Sequence, residues 1–148
     1  MKTDLVVAGY VIHDGKVLLI HHGKLDAWLP PGGHIEENET PDQALCREIK
    51  EELNLDVEVL NRLELDHDER VKEILAVPFY VDVHSVGDHN HCCFFYICRP
   101  KNPNSLSINK ELKNFGWFSK EDLGKKDFLK NVKAQCLKAF ELFAKLNP

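Results

Sequence analysis

A helix start is written into Thr40-Pro41-Asp42-Gln43. Thr40 can accept from the orphan N–H three residues on, and Gln43 can reach back to complete a capping box. Pro41 suits the first helical position, where no N–H is needed. The spacing predicts a helix running to about Leu53. Asn54 is the expected stop, because Asn tolerates the left-handed conformation almost as glycine does. At about 100° per residue, Leu45, Ile49 and Leu53 form an apolar stripe, and Glu48, Glu51 and Glu52 fall within an arc of roughly 100° beside it. One flank of the helix is therefore suited to burial while the next carries three carboxylates. Like charges three and four residues apart cost about 0.2–0.5 kcal/mol per pair on an isolated helix. From the helix alone two readings stand: solvated glutamates on a surface rich in Lys and Glu, or carboxylates gathered for a cation.

The rest of the chain supplies strands for the apolar stripe to pack on. Leu5–His13 and Lys16–His22 are apolar, β-branched runs joined by Asp14-Gly15, a strong hairpin signal. Leu29-Pro30-Pro31-Gly32-Gly33 is read as a loop. After the helix, Asp56–Leu63, Ile74–His84 and Cys92–Arg99 read as strands, with Pro78 marking an edge or a bulge. A polar loop from Pro100 to Asn109 precedes a short strand, Asn114–Phe118. Leu129, Val132, Cys136, Phe140, Phe143 and Ala144 then recur at helical spacing. Short strands with one central and one terminal helix predict a sheet covered by helices on both faces.

A length of 148 residues suits one domain, 1–148, and leaves no room for a second of ordinary size. Nineteen Lys and Arg against 24 Asp and Glu give a net charge of −5. That balance argues against a nucleic-acid polymer or an anionic membrane as partner, since both call for clustered cations. The apolar run Leu5–Ile12 is far short of the roughly twenty residues a spanning helix needs, and no basic segment precedes it to suggest a secretory signal. Five cysteines, an odd number without a disulfide-framework spacing, fit a reduced, cytoplasmic setting. His89 and His91 stand just before Cys92 and Cys93, which raises zinc. There is no C-x-x-C pair and no second half-site, and His91, Cys93 and Phe95 would simply share one strand face, so buried structural thiols are the favoured reading.

The loop before the helix favours the cation. Gly32-Gly33 can bring bare backbone close to a ligand, Glu39 lies just ahead of the helix, and Arg47 can pair with Glu39 or Glu51. Loop carbonyls with clustered carboxylates suit a hard divalent ion such as Mg²⁺, which shares oxygen ligands with phosphates. Gly33, Glu39, Arg47, Glu48, Ile49, Glu51, Glu52 and Leu55 fit eight of the nine specified positions of G-x5-E-x7-R-E-U-x-E-E-x-G-U, with U aliphatic. This segment resembles the signature of the Nudix (MutT-like) hydrolase family. The departure is Asn54 in place of Gly, a substitution that can still end the helix. The hairpin, the approach Trp28–Gly33 and the late segment Phe115–Leu123 are similar to landmarks of the same family.

The resemblance implies an α/β fold, a Nudix-type α/β/α sandwich around a mixed β-sheet. It implies a pyrophosphohydrolase that uses water and a divalent metal, Mg²⁺ with Mn²⁺ as the alternative, on a small nucleotide substrate. By motif position Glu48 and Glu52 would be principal metal ligands, with Glu51 a further one and the Gly32 carbonyl completing the set. Arg47 would orient a glutamate, and Gly33 and Glu39 would support the ligands from behind. The general base is Glu48 or, from a later loop, Glu111, whose alternative is a solvated loop acid. A nucleoside triphosphate, including an oxidised purine nucleotide, is the leading substrate, by elimination. Pro78 lies too far beyond the signature for the ADP-ribose pattern, and between the signature and Tyr80 there is no tyrosine for the dinucleoside-polyphosphate pattern. ADP-ribose or another nucleotide sugar, a non-catalytic nucleotide-binding regulator and an isoprenoid diphosphate isomerase are the alternatives. Trp28, Tyr80, Phe95 and Trp117 could stack on a base and Asn131 could bond a purine edge, but core packing and an exposed helix surface are the favoured roles. His21, His22, Lys24, Arg70, Arg99 and Lys101 are further phosphate-contact candidates without any specific spacing.

Overall fold

The computed structural model describes residues 1–110, 112 and 114–146. Two long strands organise it, β1 (Thr3–His13) and β7 (Asn90–Pro100), which run side by side in parallel from Thr3 opposite Asn90 to Val11 opposite Cys98. Each shares its other edge between two antiparallel partners. β2 (Lys16–His22) pairs with the end of β1 around Val11–His13, whereas β4 (Gly32–His34) pairs with Val6–Ala8. β5 (Val57–Val59) and β6 (Tyr80–Ser85) divide β7 in the same way. β3 (Ala27–Leu29) and β8 (Asn114–Phe118) pair with β2, completing a mixed sheet of eight strands.

Period-two alternation sends successive residues to opposite faces. On one face Val6, Ala8, Tyr10 and Ile12 pack with Val132, Cys136, Ala139 and Phe140 of α3 (Lys130–Leu146). On the other, Val7 and Val11 pack with Leu45, Ile49 and Leu53 of α1 (Pro41–Leu53), all three fully buried. The α/β sandwich and the apolar stripe are therefore as expected. A short helix, α2 (Lys120–Lys125), capped by Ser119, precedes α3. No helix among the described residues is long and apolar enough to cross a membrane.

α1 begins and ends where the sequence places it. Thr40 and Gln43 form the reciprocal capping box, and Asn54 takes φ 53° and ψ 37° with its N–H bonded to the Lys50 carbonyl. Three expectations need correction. The Pro/Gly stretch is not all loop: Ala27–Leu29 and Gly32–His34 are strands, because a short ladder on β2 or β1 satisfies backbone that the composition alone leaves irregular. The strand expected over Ile74–His84 begins only at Tyr80, beyond Pro78, which has no N–H to donate. The strand expected over Asp56–Leu63 keeps only Val57–Val59 as ladder. Cys46, Cys92, Cys93, Cys98 and Cys136 are all free thiols, and Cys93, Cys98 and Cys136 are buried.

Candidate functional site

The divided edge of β1 positions the site. Where β2 leaves β1, β4 takes its place, and Gly32 and Gly33 lie against Ala8 and Val7. A side chain at Gly32 would run into the Val7 carbonyl and the Ala8 backbone, so only glycine allows this approach. Gly33 faces α1 instead. The space a Cβ would fill there is taken by the Glu48 carboxylate, whose oxygens stand 2.5 and 2.6 Å from that position. The Gly32 N–H donates to Glu52 Oε1 at 3.0 Å. Glu48 and Glu52, one helical turn apart, are thus both set against the paired glycines.

Arg47 fastens this arrangement. Its Nε and Nη2 donate to the two oxygens of Glu39 at 2.7 and 2.9 Å, the bidentate geometry that a planar guanidinium favours. Nη2 also donates to the His34 carbonyl at 3.0 Å, and Nη1 to Glu48 Oε1 at 2.9 Å and Glu51 Oε2 at 3.5 Å. One side chain therefore links β4, the segment before the helix and two glutamates of the helix. Both partners expected for Arg47 are present, Glu39 as the close pair and Glu51 as the looser one.

The electrostatics follow from these contacts. The Arg47 hydrogen bonds, helped by the Glu36 N–H, hold the Glu39 carboxyl down at about 2, and Glu39 in turn pushes Arg47 above its ordinary range. Burial pushes Glu48 up, against the pull of Arg47. A buried carboxylate raised in this way gains most from an added positive charge beside it. Glu51 is the open member, with its side chain 58% exposed against 20% for Glu48. All-oxygen donors, two of them held against backbone, fit a hard divalent ion of the Mg²⁺ or Mn²⁺ type.

The carbonyl end of α1 is also held. Ser107 N–H donates to Leu53 O and Asn109 N–H to Glu52 O, both at 2.9 Å, and Asn54 Nδ2 donates to Ser105 O at 3.2 Å. The loop from Pro100 to Asn109 is thus a cap for the glutamate helix, a role its polar composition did not reveal. Leu112 buries itself in the α1-side core. Glu111, the later-loop base candidate, lies outside the described residues.

The remaining candidates divide. Phe95 is buried and Trp28 and Trp117 pack on the two cores, as expected of structural aromatics. Tyr80 is 47% exposed, however, and with Phe79, Asn131 and Gln135 it lines a cavity of about 310 Å³ beside α3. Arg70 and Arg99 are paired with Asp68 and Glu58. His34 was not singled out by the motif, yet its carbonyl receives Arg47 and its ring belongs to a histidine cluster. The signal was the count of eight histidines in a short chain, three of them close together at His84, His89 and His91.

Comparison with known proteins agrees with this geometry. A family model described as NUDIX domain matches residues 3–140. A NUDIX-family hydrolase from Clostridium perfringens superposes with a TM-score of 0.81 and 30% identity over 97% of this chain and 99% of that one. An RNA pyrophosphohydrolase of Hydrogenovibrio crunogenus is 45% identical over 65 residues, 36% of this chain and 39% of the relative. An 8-oxo-dGTP diphosphatase of Proteus vulgaris is 60% identical over 30 residues, 20% of this chain and 27% of the relative. The chain thus aligns with well under half the length of either curated relative.

Proposed function

This chain belongs to the Nudix family, and we propose that it acts, as one domain over 1–148, as a metal-dependent hydrolase of the diphosphate linkage in a nucleoside diphosphate derivative. The observation that carries this reading is the convergence of Glu48 and Glu52 on the Gly32-Gly33 backbone, with Arg47 locking Glu48 there. Glu48, Glu52 and Glu51, with the Gly32 carbonyl, would hold Mg²⁺, or Mn²⁺ in its place. When bound, such an ion neutralises the diphosphate oxygens and supplies an activated water.

The protein's own groups do the rest. Arg47 keeps Glu48 oriented and ties β4 to the helix, and Glu39 keeps Arg47 in place. Water adds to phosphorus, the anhydride P–O bond breaks, and a carboxylate takes the proton. Glu48 and the later-loop Glu111 are the two candidates for that base. On a nucleoside triphosphate the products are nucleoside monophosphate and pyrophosphate.

A nucleoside triphosphate, including an oxidised purine, is the substrate we favour. In support, Tyr80 offers an exposed ring and Asn131 an amide in one cavity, a combination suited to a purine face and edge. The Proteus vulgaris likeness points the same way. The test is product release from a panel with and without Mg²⁺: nucleoside triphosphates, an oxidised purine triphosphate, ADP-ribose, a dinucleoside tetraphosphate, 5′-triphosphorylated RNA and an isoprenoid diphosphate. Metal-dependent pyrophosphate release from the triphosphates is expected, and Glu52→Gln should slow it by about 10³-fold or more with the fold intact. Binding without turnover would make the protein a regulator, and rearrangement of the isoprenoid an isomerase. Near-normal turnover by Glu52→Gln at saturating Mg²⁺ overturns the site.

A further inference from the structure

β4 places adjacent residues on opposite faces of the sheet. Gly33 looks toward α1 and Glu48, whereas His34, opposite Val6, looks toward the α3 side. Asp4 has the parity of Val6, and His91 sits opposite Asp4 in the β1–β7 ladder with the parity of Cys93 and Phe95. These three side chains therefore share the face turned away from the glutamate helix, and His89, just ahead of β7, joins them.

Their donor atoms converge. Asp4 Oδ2 lies 3.2 Å from His34 Nε2 and 3.5 Å from His89 Nε2. The His91 ring stands edge-on between the two, with centroids 5.2 Å from His34 and 5.1 Å from His89. One ligand atom from each of the four residues falls within 4.8 Å of the others. A tetrahedral ion with bonds of about 2.0–2.2 Å keeps its ligands roughly 3.3–3.6 Å apart; the two Asp4 separations already match that spacing, and the other donor pairs lie within 4.8 Å. The outer nitrogen of His89 is held as well: its Nδ1 is 2.7 Å from Asp88 Oδ1, leaving Nε2 aimed at the cluster. A carboxylate behind a ligating imidazole is what fixes ring orientation in metal sites. Lys2 at 3.4 Å is the neighbour that an ion would displace from Asp4.

We propose that Asp4, His34, His89 and His91 form a second metal site, for a zinc-class ion, that ties the ends of β1, β4 and β7 together on the face opposite the glutamates. Three imidazoles and one carboxylate select a late first-row divalent ion, whereas the all-oxygen set on α1 selects a hard one, so the two sites take different metals. Four protein ligands close the coordination sphere, which makes the role structural. The thiols of Cys92 and Cys93 take no part.

The probe is Zn²⁺ itself. Protein stripped with chelator is dialysed against Zn²⁺ in a large excess of Mg²⁺, and retained zinc per chain is measured alongside the melting midpoint. One zinc per chain and a raised midpoint are expected for the parent and for Glu48→Gln/Glu52→Gln. His89→Gln/His91→Gln should bind zinc at least about 100-fold more weakly and show no zinc-induced rise, and Asp88→Asn should bind about tenfold more weakly. Co²⁺ in place of Zn²⁺ should give the intense visible bands of a four-coordinate site. Should the double histidine variant fail to fold, His34→Gln, with a ring 58% exposed, carries the same test. Absence of retained zinc in the parent, retention by the histidine variants, or loss in the glutamate variant overturns the proposal. So does inorganic phosphate, rather than zinc, being the ligand that the histidine variants cease to bind.

Discussion

Replacing Gly33 by alanine should separate the chemistry of the site from the stability of the fold. The new Cβ would overlap the Glu48 carboxylate, with Oε2 at 2.5 and Oε1 at 2.6 Å. Carbon and oxygen settle near 3.5 Å, so that carboxylate must withdraw by about 1 Å. It can do so, since it is the end of a flexible side chain. The cost in stability is then about 1 kcal/mol, chiefly the weakened Arg47 contact, or about 2–4 °C in melting midpoint for a domain of this size. A reacting group displaced by 1 Å can cost about 10²-fold in rate. Gly32→Ala is the contrast. There the added atom meets the Val7 carbonyl and lies 2.8 Å from the Ala8 Cα, backbone that cannot retreat without breaking the β1–β4 ladder. We expect about 3 kcal/mol or more, and about 6–12 °C. Calorimetry and steady-state kinetics on both variants decide it. If Gly33→Ala keeps its rate within about threefold, or melts as early as Gly32→Ala, the assignment of Glu48 to the reacting centre fails.

Arg47→Lys keeps a charge but loses the planar fork, so the links to Glu39, Glu48 and the His34 carbonyl cannot all survive. We expect about 2 kcal/mol of lost stability and a melting midpoint lower by about 4–8 °C, read by calorimetry, together with a fall in turnover. Glu39, with its carboxyl moved from 4.5 to about 2, contributes stability that is fully present above pH 4.5 and disappears as pH falls toward 2. Melting midpoints of the parent and Glu39→Gln should therefore converge across that interval, and a constant difference would count against the pairing with Arg47. Glu52→Gln removes one charge from the cluster, so without metal its midpoint should hold or rise slightly, by scanning calorimetry.

Helix α1 was legible in the sequence because its signals are local. Thr40, Pro41, Gln43 and Asn54 each act within four residues, and the Leu45-Ile49-Leu53 stripe needs only a sheet to face. The hairpin at Asp14-Gly15 was legible for the same reason. β3 and β4 were not, since a three-residue strand exists only by virtue of its partner, and Gly32-Gly33 reads as loop until Val7 and Ala8 are known to lie beside it. The capping loop escaped because its work is done by backbone N–H groups of Ser107 and Asn109, which no side-chain pattern announces. The histidine cluster was missed differently. Along the sequence the nearest partners of His89 and His91 are the adjacent cysteines, whereas parallel pairing of β1 and β7 brings Asp4 to them and β4 brings His34. Sequence neighbours on a strand alternate faces, and ladder neighbours share one.

The three-residue β4 strand is exposed to a particular kind of error. Sliding it by a single step along β1 would swap the directions in which Gly33 and His34 point. A bulky ring would then be driven at the glutamate helix, and the histidines on the far side would lose a member. Mutations in this strand that act by altering alignment rather than by altering chemistry should thus injure both faces at once, and genetic screens would score them as one lesion.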